Sequence, residues 1–183
     1  HNQNVVVVLN AGGAVEMASW MHKVKAVLMA WYPGQQGGLA ISEIITGKIS
    51  PSGKLPISIE SKIADNPCSD NYYENVDRVR SHLINPHARV EYREGIFMGY
   101  RGYEKNGVKP LFPFGYGLSY TEFEYSDLQV LTPEVELGGV VKVSVKVTNK
   151  GKYDGDDVAQ LYVRDVVAET TRPMRELKGF ERF

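Results

Sequence analysis

The chain has 183 residues, 23% of them charged, with a formal net charge of −1. That length suggests one or two domains, and acids and bases are interspersed without a basic stripe, which argues against a nucleic-acid partner. Cys68 is the only cysteine, so no disulfide forms within the chain, and no apolar run approaches the roughly 20 residues of a membrane-spanning helix. His1 is not a natural start residue, so the natural N-terminus is expected elsewhere, and the missing signal peptide bears on no compartment.

Val5 to Leu9 is an unbroken aliphatic and β-branched run followed by Asn10, Gly12 and Gly13. It reads as a central parallel strand leaving into a turn. Ala14 to His22 suits a short helix or turn carrying Trp20. Val24 to Trp31 is a second buried strand, stopped by Pro33 and Gly34. Gly37 and Gly38 allow a tight turn, Leu39, Ile41, Ile44 and Ile45 fall on a helical stripe, and Gly47 sits where a helix ends. Two βα steps of a wound sheet result, and more sheet is expected upstream of His1 because a parallel sheet needs further strands and two covered faces. Such sheets place function at the carboxyl ends of their strands, where Trp31, Tyr32 and Gln35 fall.

Pro51 to Pro56 is a turn into Ile57-Ser58-Ile59, a short alternating strand. Residues 60–90 are polar and irregular, with Tyr72-Tyr73, His82 and His87, and read as an ordered surface loop. Val90 to Glu104 is aromatic and β-rich with recurring glycines, and reads as a strand pair or bulged strand, with Asn106-Gly107 as a tight turn. Pro110 to Tyr120 reads as a rigid connector packed on a neighbour. From Thr121 the pattern is all-β. Phe123 to Val130 suggests a strand, Val141, Val143, Val145 and Val147 alternate with polar residues as the core stripe of a sandwich, and Val158 to Val163 gives another strand. Three or four strands fit before Phe183, against about seven in a complete immunoglobulin-like sandwich. The expectation is a chain truncated at both ends.

Several segments together resemble family 3 glycoside hydrolases: Val5 to Gly13 (VVVVLNAGG), Ala30 to Gly38 (AWYPGQQGG), Pro51 to Pro56 (PSGKLP), Tyr92 to Arg101 (YREGIFMGYR) and Leu111 to Tyr120 (LFPFGYGLSY). Glu176 to Phe180 (ELKGF) looks like the same family's fibronectin type III-like domain. Five motifs in one order make the likeness specific, and residues 68–90 match least. The resemblance implies α/β followed by all-β. Residues 1–118 would be the C-terminal part of a wound α/β sandwich domain with its connector, and residues 119–183 an incomplete fibronectin type III-like β-sandwich. It further implies part of a retaining exo-β-glycosidase acting on β-glucosides or β-xylosides. In that family a barrel domain supplies an aspartate nucleophile and the sandwich domain an acid/base on a loop, the two carboxyl groups about 5–5.5 Å apart. Both are expected upstream of His1, so no catalytic residue is assigned within the chain and the chain alone is expected to be inactive. No cofactor is implied, since two carboxylates suffice. The implied partners are a β-linked oligosaccharide or an aryl or alkyl β-glycoside and the missing barrel of the same polypeptide, with no nucleic acid and no membrane.

Four residues stand as candidate substrate-binding groups. Trp31 and Tyr32 could stack on a sugar ring or pack beneath the glycine loop. Gln35, like Gln36, could donate to sugar hydroxyls or cap the following helix. Glu94, beside Arg93, could be a functional carboxylate or half of a structural ion pair. Glu16 reads as a solvated acid at a helix start. The loop at 34–38 lacks both the G-x-G-x-x-G spacing and a P-loop lysine, which disfavours a nucleotide. His22, His82 and His87 form no metal-ligand spacing, and no G-x-S-x-G elbow is present. The alternative reading is a non-catalytic carbohydrate-binding or domain-interaction module that uses aromatics such as Trp31 or Tyr72. A third is a gene fragment without a stable fold, its sheet edges unpaired and its apolar faces exposed.

Overall fold

The computed structural model describes residues 2–73 and 91–183. The loop histidines His82 and His87 and the side chain of Tyr72 lie outside the described residues. β1 (Val6–Leu9) and β2 (Ala26–Met29) pair in parallel, Val6 opposite Ala26 and Leu9 opposite Met29. Residues 10–25 cross over between them through a short 3-10 turn at Met21–Lys23, pinned by Met17, which is only 2% exposed. α1 (Gly37–Ile45) follows β2 and ends at Gly47, whose φ of 74° closes the last turn through a bond from its amide to the Ile44 carbonyl. Among the described residues the parallel pairing expected of a wound sheet is limited to this one pair.

Ile57-Ser58-Ile59 forms less than the expected strand. Ile59 bridges Phe112 with reciprocal bonds of 2.8 and 3.1 Å, and Leu55 meets Tyr116 and Gly115 in the same way. Pro56 and Pro113 supply no amide, so the ladder breaks between the two contacts. The connector expected at 110–120 is thus hydrogen-bonded to the turn at 51–59.

The strand pair expected at 90–104 is not formed. Turns cover 93–96, and Tyr100–Asn106 is a helix, here α3 after α2 (Ser69–Tyr73). Gly99, at φ 55°, turns the chain into α3, and Gly107, at φ 63°, stops it in the left-handed region. Asn106-Gly107 is therefore a helix end rather than a hairpin. A Cβ on Gly102 would stand 2.1 Å from the Phe97 carbonyl and 2.5 Å from Pro67, so this glycine serves close packing. Tyr100 and Tyr103, one turn apart, bury the same side of α3.

In the second half β3 (Phe123–Val130) pairs antiparallel with β4 (Val143–Asn149), and β5 (Val158–Val163) with β6 (Glu176–Arg182). β3 slips register at Asp127, whose φ of 54° marks a bulge. The two pairs meet where Phe183 lies edge-on to Phe123 and Tyr125, at 6.0 and 6.4 Å. The valine stripe is not the buried core expected of it. β4 begins at Val143, and Val141 and Val145 are 53% and 40% exposed. The β3 neighbour pairs with an edge of β4 and leaves its faces to be covered by another layer, and Val141 lies beyond the paired register. No helix among the described residues is long and apolar enough to cross a membrane.

Polar contacts join the two halves. Lys54 reaches Asp157 at 2.7 Å and the Gly117 carbonyl at 3.0 Å, while Tyr125 donates to the other Asp157 oxygen at 2.6 Å. The Ser50 and Ser119 hydroxyls meet at 2.8 Å, and Tyr120 donates to the Ile44 carbonyl at 2.7 Å. Burial works to raise Asp157, but bonds from Lys54, Tyr125 and the Val158 amide, with the Lys54 charge, outweigh it and hold the carboxyl below its ordinary value. The same burial and the bond to Asp157 push the Tyr125 phenol well up, so it stays a donor.

Candidate functional site

The carboxyl ends of β1 and β2 are joined by the bond from the Ala30 amide to the Leu9 carbonyl at 2.9 Å, so the loops at 10–13 and 30–36 leave side by side. Tyr32 crosses from one to the other. A Cβ on Gly12 would sit 2.5 Å from the Tyr32 hydroxyl and 2.7 Å from its ring, so Gly12 makes room for the phenol. Tyr32 is nonetheless 80% exposed and does not pack beneath the loop. Trp31, half-buried, holds φ at 52°, a left-handed conformation that costs a bulky residue about 1–3 kcal/mol and persists only where its surroundings impose it. Here the turn between β2 and Pro33 imposes it. Gln36 occupies the N-cap of α1 but makes no side-chain capping bond, and Gln35 beside it is exposed. Pro33 packs on Gly37, where a Cβ would come within 2.5 Å, and this fixes the angle between the loop and α1.

Trp31, Tyr32 and Gln35 thus share one rim. Glu94 belongs to a different group: it accepts from the Asn71 amide nitrogen and from the Cys68 thiol. Its own backbone N–H, opposed by burial and helped by the bonds from Asn71 and Cys68, holds its carboxyl below the ordinary glutamate value. Burial, then the Glu94 charge and hydrogen bond, raise the Cys68 thiol. Arg93 bonds Glu91 at 3.3 Å. The described contacts of Glu94 come from α2 and the residue just before it. Nothing in the spacing announces Asn71, 23 residues away. Glu16 is exposed, and its carbonyl accepts from the Trp20 indole at 2.8 Å. No metal-holding cluster occurs among the described residues.

The rim can offer an exposed aromatic face, a half-buried indole and an amide donor, all on a turn held by backbone bonds. It carries no pair of facing carboxylates.

The profile of the glycosyl hydrolase family 3 C-terminal domain matches residues 1–120, and that of a fibronectin type III-like domain matches residues 157–183. The thermostable β-glucosidase B of Acetivibrio thermocellus is 47% identical over 179 residues, covering 98% of this chain and 22% of that protein. β-Glucosidase B of Emericella nidulans is 44% identical, covering 98% of this chain and 21% of that protein. The structure of β-glucosidase 3B from Thermotoga neapolitana in complex with α-D-glucose superposes with a TM-score of 0.86 at 38% identity, over 98% of this chain and 24% of that one. The chain spans roughly a fifth to a quarter of the length of these relatives. On the match over residues 1–120, the chain belongs to glycosyl hydrolase family 3, within that family's C-terminal domain.

Proposed function

We propose that this chain is the C-terminal part of a retaining exo-β-glycosidase that hydrolyses β-glucosides or β-xylosides, and that it builds one wall of the substrate cleft. The observation that carries the reading is similarity over 98–99% of this chain to part of proteins named β-glucosidases, at 40–47% identity. The catalytic aspartate and the acid/base lie in preceding parts of the polypeptide. The retaining reaction needs two carboxyl groups about 5–5.5 Å apart. The boundary between the two domains lies near residue 118, where the connector leaves the 51–59 turn.

In this reading Trp31 and Tyr32 give the apolar face of a pyranose an aromatic platform, and Gln35 bonds a hydroxyl. Glu94, kept ionised by its own backbone N–H with Asn71 and Cys68, accepts from a sugar hydroxyl rather than reacting.

The test is a chimera in which residues 1–183 replace the corresponding stretch of the Acetivibrio thermocellus relative. The expected result is cleavage of a chromogenic β-glucoside with a β-configured first product by proton NMR, and a Trp31→Ala variant with raised KM and little change in kcat. An α-configured product would remove the retaining mechanism, and an unchanged KM would remove Trp31 from the cleft.

A further inference from the structure

Gly12 is a glycine that its own backbone does not require. Its φ lies outside the left-handed region, as does that of Gly13 beside it, so an L side chain would suit either backbone. The two differ in what surrounds them. A Cβ on Gly13 would meet nothing within 4 Å. A Cβ on Gly12 would stand 2.5 Å from the Tyr32 hydroxyl, 2.7 Å from Cε2 and 2.8 Å from Cζ. Ordinary contact between carbons is about 3.5–4.0 Å, so a methyl group at position 12 would displace the ring by about 1 Å. The displaced atoms are the far end of a side chain that is 80% exposed, so the ring can swing aside while the backbone stays in place.

The pose this permits adds little to a core, because most of the ring stays in solvent. It is nonetheless fixed from two sides. Trp31, directly before Tyr32, holds the left-handed φ of 52° that aims the following side chain. Gly12, on the neighbouring loop, withholds the Cβ that would push the ring away. A strained bulky residue and a missing side chain thus converge on the position of one exposed aromatic. Strain held at such a place points to function rather than packing.

We propose that Gly12 is a positioning residue for sugar binding: by lacking a Cβ it seats the Tyr32 ring where a pyranose stacks on it. The proposal rests on the reading of the 31–37 rim as a wall of the substrate cleft, and adds that the 10–13 loop sets the shape of that wall. Gly12 touches no sugar and acts through Tyr32 alone. A ring moved by about 1 Å loses part of its dispersion contact with a stacked pyranose, since that attraction falls steeply with separation. The rim carries no group that reacts, so the loss falls on binding and not on the chemical step.

The test uses the chimera with the preceding part of the Acetivibrio thermocellus relative, and measures KM and kcat for a chromogenic β-glucoside together with the dissociation constant of D-glucose. Gly12→Ala should raise KM and the dissociation constant about fivefold, the size of one weakened aromatic contact, and leave kcat within about twofold. Gly13→Ala, which adds a methyl group to the same loop in open space, should change none of the three. In a Tyr32→Ala background Gly12→Ala should have no further effect, because the two residues act as one unit. Unchanged binding in Gly12→Ala, an equal loss in Gly13→Ala, or a full Gly12→Ala effect without the Tyr32 ring would overturn the proposal. A chimera that binds glucose without turnover would count against the glycosidase reading alone, and its dissociation constants would still decide the role of Gly12. A chimera that neither binds nor hydrolyses would overturn both.

Discussion

Lys54→Met removes the cation that holds Asp157. The pair is largely enclosed, with side chains 19% and 10% exposed, and Asp157 ties the 51–59 turn to β3 and β5. Breaking a fully buried pair costs about 3–5 kcal/mol, because the remaining charge is stranded. Asp157 keeps the Tyr125 hydroxyl and the Val158 amide, so the cost here is lower, about 2–3 kcal/mol, including the lost bond to Gly117. With a urea m-value of about 2 kcal/mol/M, the unfolding midpoint falls by roughly 1–1.5 M. Asp157→Asn added to Lys54→Met should recover part of that loss, since no charge is then stranded. The pH dependence has a definite sign. Asp157 is lowered in the folded state, so its contribution is present above the ordinary aspartate value of 3.8 and is lost as pH falls through the lower folded value. Below that the difference between wild type and Lys54→Met should shrink to about the 1 kcal/mol of the lost Gly117 bond. A midpoint shift under about 0.3 M at neutral pH, or a difference undiminished in acid, would refute the reasoning.

Gly102→Ala should cost about 3 kcal/mol, the upper end for overpacking, because its Cβ would meet the Phe97 carbonyl and a proline ring that have little room to yield. A thermal scan would show this as a loss of about 6–12 °C, and an unchanged midpoint would mean that α3 is not packed on Pro67. Cys68 should alkylate slowly at pH 8, because its thiol is raised by burial and by Glu94, and Glu94→Gln should speed the reaction. Equal rates in the two chains would separate Cys68 from Glu94.

How far the sequence reaches depends on how local the deciding contacts are. β1, β2 and β5 announce themselves as β-branched or aliphatic runs bounded by turn residues, and the structure places them within two residues of the expectation at either end. The stop at Gly47 is equally local. α3 is different. Tyr100 to Asn106 holds two tyrosines and a glycine, poor helix formers, and its helix depends on Gly99 turning the chain and on packing against Pro67 and Phe114. Those partners are distant in sequence. The same applies to Glu94, whose hydrogen-bond partners Asn71 and Cys68 lie far from it in the sequence. The valine alternation in β4 identifies a strand but not what covers it, because period two says which residues share a face and nothing about the facing layer. The position of Trp31, Tyr32 and Gln35 just past the carboxyl end of β2 was legible from the strand pattern, and the Tyr32–Gly12 contact was not, since it needs both loops at once.

Hydrolysis of chromogenic β-glucoside and β-xyloside, by the 183-residue chain alone and by the chimera with the preceding part of the Acetivibrio thermocellus relative, tests the central claim most directly. The account predicts no turnover by the chain alone and clear turnover by the chimera. Turnover by the chain alone would contradict the placement of the catalytic carboxylates and make Glu94 the first residue to replace. A folded chimera inactive on both substrates would contradict the glycosidase reading itself.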